Sequence, residues 1–301
     1  MLDFRIDTFL AVCRFMNFTR AAEALHITQP AVSQHIHWLE EKYHCRLFTF
    51  QGKKMALTPA GEALLSAATT MKHDALYLED RLRQMRQNTG RLVFGATLTI
   101  GEFVIPKHLA QFLERYPDVS VRMVVANTQE LLKELDAGEI DFALVEGYFA
   151  KSEYDSLVYA QEPYIGVCGA SYPLPDAPIR IEDLIGERLI VREAGSGTRE
   201  VLERYLEGRN CSLRDFRRLT EAGNLNAIKS LVKQNCGITF LYEAAAADSL
   251  RDGALRRIPL ADFHIVNDFT FIWRKNSAFA AHYHELFQAL HGDSVSSSSV
   301  L

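Results

Sequence analysis

The sequence predicts a multidomain α/β chain: a small helical head, one long connecting helix and a larger α/β body. Three observations predict it. Between Phe18 and His37 two short helical patterns meet at a tight break. From Leu57 to Met85 apolar residues recur in steps of four and three. From Arg91 onward, strand-like and helix-like patterns alternate.

The 301 residues are 48% apolar, enough for two or three domains with real cores. No apolar run reaches the roughly 18 residues a membrane span needs. The opening MLDFRIDTFLAV carries Asp3 and Asp7 and lacks a small-residue cleavage site, which reads against a signal peptide. Cys13, Cys45, Cys168, Cys211 and Cys236 never fall as CxxC and mostly sit in apolar surroundings. We expect buried thiols and a reducing, cytoplasmic setting. Net charge is −5, unevenly spread. Residues 1–90 hold 11 Lys/Arg against 9 Asp/Glu, and residues 91–301 hold 22 against 29. A mildly basic head on an acidic body fits a nucleic-acid reader joined to a separate domain.

In the head (1–58), Phe4 to Phe15 reads as a first helix with Phe9, Leu10, Val12 and Cys13 on its apolar face. A second runs from about Thr19 to Leu25, capped by Asn17 or Thr19. The third starts behind Thr28, tolerates Pro30 in its first turn and ends near Tyr43. Ala22, Leu25, Ile27, Ala31, Val32, Ile36 and Leu39 are the expected core, leaving Gln29, Ser33, Gln34 and His37 on the opposite face. Short donor/acceptor side chains of this kind read base edges and phosphates. This is a helix-turn-helix, placed at 18–37. The turn Gln51-Gly52-Lys53-Lys54 between alternating segments reads as a β-hairpin wing, with Lys53 and Lys54 set to touch phosphate. Double-stranded DNA is the partner this implies. The candidate contacts are Thr19, Arg20, Thr28, Gln29, Pro30, Ser33, Gln34, His37, Lys53 and Lys54. A merely solvated polar face would more usually carry Glu and Lys.

FTRAAEALHITQPAVSQHIHWLEEKYHCRLF followed by LTPAGEALL resembles the winged helix-turn-helix of LysR-type transcriptional regulators. One departure is Phe50, where many members have Arg. That shifts the wing's phosphate contact onto Lys53 and Lys54. The resemblance implies a promoter operator as the DNA target and RNA polymerase as a further candidate partner.

Residues 59–88 follow as a linker helix, with Pro59 in its first turn. Leu57, Gly61, Leu64, Ala68, Met71, Ala75, Leu78, Leu82 and Met85 form a heptad seam, and Leu64, Ala68, Met71, Ala75, Leu78 and Leu82 are the expected dimer contacts. The alternative is an amphipathic helix packed on its own domain. The family implies an antiparallel linker-helix dimer assembling into a homotetramer. Asn88-Thr89-Gly90 reads as a hinge.

In the body (91–291), Arg91–Ala96, Val119–Val125, Phe142–Val145, Ile165–Cys168, Leu189–Val191, Ile238–Leu241 and Phe269–Trp273 read as strands. Phe103–Arg115, Gln129–Ala137, Thr198–Leu206, Asn226–Gln234, Ala244–Leu250 and Phe279–Leu290 read as helices. Parallel sheets follow. The family implies two lobes, 91–161 with 268–291 and 162–267, similar to the type 2 periplasmic-binding-protein fold. Residues 292–301 are Ser-rich and expected to be disordered.

Ligands of such sheets sit beyond the C-terminal strand ends. Thr97-Leu98-Thr99-Ile100 and Ser196-Gly197-Thr198-Arg199 each follow a strand and open a helix, offering hydroxyls and free N–H groups. Either alone is ordinary capping. Together with Asn127, Glu146 and Asn224 they are the candidate effector site, expected to hold a small anion. Glu146 needs pairing or a proton there, and Arg199 or Arg192 is its candidate partner. TLTIGEFVIP, VVANTQELL, DFALVEG and REAGSGTRE are most similar to the sulfur-assimilation branch of the family. That branch implies a sulfur oxyanion or related metabolite as effector. The carbon-fixation branch shares the GSGTR turn and implies a sugar phosphate or other phosphorylated metabolite; a small carboxylate is a further alternative within the family.

No GxxxxGK[ST], GxSxG, HExxH or CxxC occurs. No enzyme activity, cofactor or metal is expected.

Overall fold

The computed structural model describes residues 3–52, 54–87 and 90–291. Lys53, the hinge residues 88 and 89, and the 292–301 segment expected to be disordered lie outside them.

Three helices build the head: α1 (Phe4–Phe15), α2 (Phe18–Leu25) and α3 (Gln29–Tyr43). Each has a side-chain cap that the sequence supplies. Asp3 accepts from the Arg5 N–H, Asn17 from Arg20 at 3.0 Å, and Thr28 from Ala31 at 3.3 Å. Satisfying one orphan N–H at each start is worth about 1 kcal/mol. Left-handed His26 (φ 55°) ends α2 and makes the tight break before α3. Ile6, Phe9, Val12, Ala22, Val32, Ile36 and Leu39 form the head core. Ile27 is a correction: expected inside, it is 37% exposed, because the left-handed turn at His26 swings it off the packed face. The strands β1 (Phe48–Gln51) and β2 (Lys54–Leu57) pair antiparallel as the wing.

Helix α4 (Pro59–Gln87) spans about 43 Å at 1.5 Å per residue. Its four-and-three stripe is divided in use. Gly61 lies against Leu47, where a Cβ would come 2.2 Å from the backbone oxygen. Ala68 is 1% exposed inside the head core, and Leu64 packs on it. These two therefore do not face outward as a dimer seam requires. Met71, Leu78, Leu82 and Met85, further along, stand 45–67% exposed. A third face binds the chain's own body. Buried Arg274 donates to Asp136 (2.8 Å), Glu153 (3.1 Å) and the Ser66 carbonyl (3.3 Å). Asp74 accepts from Ser277 (2.6 Å) and the Ala278 N–H (2.8 Å). The helix thus packs on the head and on the body and leaves one apolar stripe exposed.

The body contains β3 (Gly90–Ala96), a π-helical turn (Ile100–Val104), α5 (Ile105–Arg115), β4 (Val119–Val125), α6 (Thr128–Ala137) and β5 (Phe142–Val145). It continues through β6 (Tyr154–Gly169), β7 (Arg188–Val191), α7 (Gly197–Glu207), β8 (Arg218–Glu221), α8 (Leu225–Lys233) and β9 (Thr239–Tyr242). It closes with α9 (Glu243–Arg251), β10 (Leu255–Arg257), β11 (Ile265–Arg274) and α10 (Ala280–His291). One sheet runs β10-β6-β11-β5-β3-β4, with β9 also on β6, and β7 pairs with β8. The pairs β3–β4, β3–β5 and β7–β8 are parallel, as the β/α alternation dictates. Strands β6 and β11 are not. They form an antiparallel ladder from Ile265↔Tyr164 to Arg274↔Tyr154, with a register shift at Phe269/Thr270. One end of this ladder joins β5, and the other carries β9 and β10. The two strands therefore pass through both lobes, and β6 begins at Tyr154 rather than the expected Ile165. Among the described residues no helix is long and apolar enough to cross a membrane.

Candidate functional site

On the head, Thr19, Arg20, Thr28, Gln29, Pro30, Gln34, His37 and Lys54 are exposed and Ser33 is half-buried. Gln29 donates to Ser33 Oγ at 2.9 Å, and His37 lies 3.1 Å from Glu41. Gln29, Ser33 and His37 border a groove of about 580 Å³ between α3 and the wing, with Arg46 and Phe50 on its far side. Arg46 is 78% exposed and bonded to Glu40 at 2.7 Å, a cation at the wing base that the sequence pattern did not single out. The exposed face of α3, the wing and these cations compose a surface suited to a duplex groove.

In the body, residues from both lobes converge beyond three strand ends. Thr97 and Thr99 follow β3, Glu146 follows β5, and Arg192 and Ser196 follow β7. All five are at least 97% buried. The lobes meet backbone to backbone. A Cβ on Gly197 would lie 2.2 Å from the Glu146 carbonyl oxygen, and one on Gly147 (φ +90°) would lie 2.8 Å from Gly197 Cα. Larger residues would wedge the lobes apart. Thr198 Oγ1 donates to Glu146 Oε1 at 2.5 Å, and Thr128 Oγ1 donates to the Glu146 carbonyl at 2.9 Å.

Four buried polar atoms here have no partner among the described residues: Thr97 Oγ1, Thr99 Oγ1, Glu146 Oε2 and Arg192 Nη1. Unpaired polar groups in a dry interior cost about 1–3 kcal/mol each, more when charged. Burial pushes the Glu146 carboxyl pKa up, opposed by the Thr198 hydroxyl, by nearby Thr99, whose hydroxyl makes no bond of good geometry, and by Arg192. Arg192 holds Glu193 through Nε (2.8 Å) and Nη2 (2.6 Å), leaving Nη1 over. Such a set has the donors and acceptors to meet a polar ligand.

Other expected contacts sit differently. Arg199 is engaged by Glu203 (2.8 Å), Glu221 (2.6 Å) and the Arg192 carbonyl (3.3 Å), tying α7 to β8. It is not the partner of Glu146; Arg192 is the nearby cation. Asn127 and Asn224 cap α6 and α8 through their side-chain oxygens, accepting from Glu130 (3.0 Å) and Ala227 (2.9 Å). Ile100 is fully buried in the core, so it offers the site backbone alone. Leu98, with Phe103, packs on the apolar cluster of the second lobe and joins the lobes. Among the described residues no group of three His, Cys, Asp or Glu is placed to hold a metal.

A family model described as a bacterial regulatory helix-turn-helix protein, lysR family, matches residues 5–62. A second, described as the LysR substrate binding domain, matches residues 85–293. The chain belongs to the LysR family of transcriptional regulators. The transcriptional regulator CysL of Bacillus subtilis is 29% identical over 271 residues, covering 89% of each chain. Among solved structures, full-length LysG from Corynebacterium glutamicum with bound effector Arg superposes with a TM-score of 0.62. It is 18% identical, with 96% of this chain and 98% of that one covered. The CcmR regulatory domain from Synechocystis in complex with 2-PG gives 0.61 at 22% identity, covering 67% of this chain and 96% of that one. The curated relatives are named as HTH-type transcriptional regulators or activators. This LysR-family chain is accordingly a DNA-binding regulator with an effector-binding domain.

Proposed function

We propose that this regulator reads its operator through the exposed face of α3 and the wing, and that a small anion between the lobes controls it. The anion is a sulfur oxyanion or a related sulfur-assimilation metabolite. The single observation that supports an anion is the buried, unpartnered Nη1 of Arg192 beyond the end of β7, beside the α7 N-terminus. A guanidinium N–H held out of water gains most from an anionic acceptor. Similarity to CysL supports the sulfur chemistry. A second reading, a phosphorylated metabolite or small carboxylate, is favoured by the similarity to the CcmR domain solved with 2-PG.

In this reading the head ends at 58, the linker helix covers 59–88 and the effector domain runs over 91–291. Its lobes are 91–161 with 268–291, and 162–267. Ligand contacts come from Thr97, Thr99, Glu146, Ser196, Gly197 and Thr198, with Arg192 added. Met71, Ala75, Leu78 and Leu82 supply a linker-helix dimer, and dimers pair into a cytoplasmic homotetramer working at promoters alongside RNA polymerase.

The test is a gel shift on the DNA flanking the protein's own gene, with and without sulfite, thiosulfate, O-acetylserine or a phosphorylated acid. Specific, salt-dependent binding altered by one of these is expected. Binding that no small anion alters removes the anion reading and leaves the DNA reading standing.

A further inference from the structure

The cleft contains one group that a plain anion cannot satisfy. Glu146 is 1% exposed; its Oε1 accepts from Thr198, while Oε2 is buried and unpartnered. An ionised carboxylate only accepts hydrogen bonds, and a guanidinium only donates. Arg192 Nη1 therefore asks the ligand for a lone pair, and Glu146 Oε2 asks it for an N–H or O–H. The two threonine hydroxyls, Thr97 and Thr99, can do either and adjust to what is bound.

Sulfate offers lone pairs in every direction and has nothing to give Glu146. We propose that Glu146 is a specificity-determining residue that selects anions carrying their own hydrogen-bond donor, hydrogen oxyanions or ammonium carboxylates, over aprotic anions. This rests on the anion reading above and narrows it. Burial holds the Glu146 carboxyl pKa up against the Thr198 hydroxyl, Thr99 and Arg192, and a ligand N–H or O–H placed at Oε2 would favour the charged, accepting form. A buried site built to pair with a ligand hydrogen rejects the analogue lacking it far more strongly than an apolar pocket rejects a methylene, because its own group is left unpaired.

The test uses the full-length protein at one pH and ionic strength, titrated calorimetrically with four probes. Phosphate and hydrogen sulfite carry O–H, O-acetylserine carries N–H, and sulfate carries neither. Wild type is expected to bind at least one donor-bearing probe about a hundredfold more tightly than sulfate. Whether an O–H or the N–H probe wins identifies the source of the donor. Glu146→Gln, whose amide both accepts and donates, is expected to bring sulfate to within about threefold of that probe, chiefly by tightening sulfate. Equal wild-type affinity for sulfate and the donor-bearing probes overturns the selector while leaving the anion reading intact. So does a Glu146→Gln protein that keeps the wild-type ratio. Binding of none of the four overturns both. The wild-type ratio decides the matter even if the variant does not fold.

Discussion

Asp141 stands where a carboxylate is costly, buried beneath α4 beside His73, with the Val93 N–H donating to it at 3.3 Å. Burial raises its pKa from 3.8 to about 6, against the opposing pull of His73 and the Val93 N–H. The folded state therefore holds this proton more tightly than the unfolded chain, and stability falls as pH rises between 3.8 and about 6. The full difference is about 3 kcal/mol. Asp141→Asn should raise the melting temperature above pH 7 and change it little near pH 4, as paired thermal melts would show. Gly197 makes a different demand, for space. Gly197→Ala sets a methyl 2.2 Å from the Glu146 carbonyl, whereas Gly186→Ala meets nothing within 4 Å. We expect the first to cost about 1–3 kcal/mol and abolish ligand-induced stabilisation, and the second to do neither. Arg192 shows where sequence reading stops. Its neighbour Arg199 stands in the recognisable GSGTR turn, yet three-dimensional pairing with Glu203 and Glu221 employs that side chain, while Arg192 keeps a buried Nη1 with no partner among the described residues. No spacing rule distinguishes the two.

At the level of elements, α3 and the wing form the proposed DNA-reading surface, and α4 packs on both head and body. Across α3 and the wing, side chains proposed to touch bases and side chains proposed to touch phosphate should behave differently. Gln34→Ala is expected to cost about 1–3 kcal/mol of discrimination at one operator position, with salt dependence unchanged. Lys54→Ala should weaken all sequences alike and reduce the slope of log affinity against log salt by about one. Binding titrations at several salt concentrations on intact and point-mutated operators separate these outcomes. The helical pattern of α4 was legible over nearly its whole length, because it depends on local periodicity. Its partition among head, body and solvent was not, because that depends on Arg274, some 200 residues distant in sequence. Arg274→Met would strand Asp136 and Glu153, which are 43% and 36% exposed. The expected loss is about 2–4 kcal/mol, at the low end for a broken buried pair because both carboxylates still reach water. Denaturant melts measure it, and the linker helix should loosen from the body as a result.

At the level of the whole molecule, the outward stripe Met71, Leu78, Leu82 and Met85 is the apolar surface left over once α4 has met its own head and body. Leu78→Glu with Leu82→Glu should shift sedimentation toward smaller species while leaving the melting temperature of the monomer nearly unchanged, since exposed positions contribute little to folding. Much of the overall architecture was readable from periodicity: the parallel strands β3, β4, β5 and β7 are short, apolar and bounded, and fell close to their expected limits. Strand β8 escaped because Arg218–Glu221 is mostly exposed and polar, and β10 because it has three residues. The long ladder escaped for a deeper reason. Its first half, Tyr154–Pro163, mixes polar and apolar residues as an open strand does, and pairing with β11 alone makes it continuous. That ladder has a practical corollary. In the proposed division the second lobe departs at Glu162 and returns at Asn267, two residues paired across one rung about 5 Å apart. Its two ends are neighbours, so it is attached like a cassette on a single mount. Exchanging residues 162–267 for those of another family member would have to preserve this strand register and the close Gly197–Glu146 contact between the lobes, and a recombined protein would be expected to keep its operator while answering to a different signal.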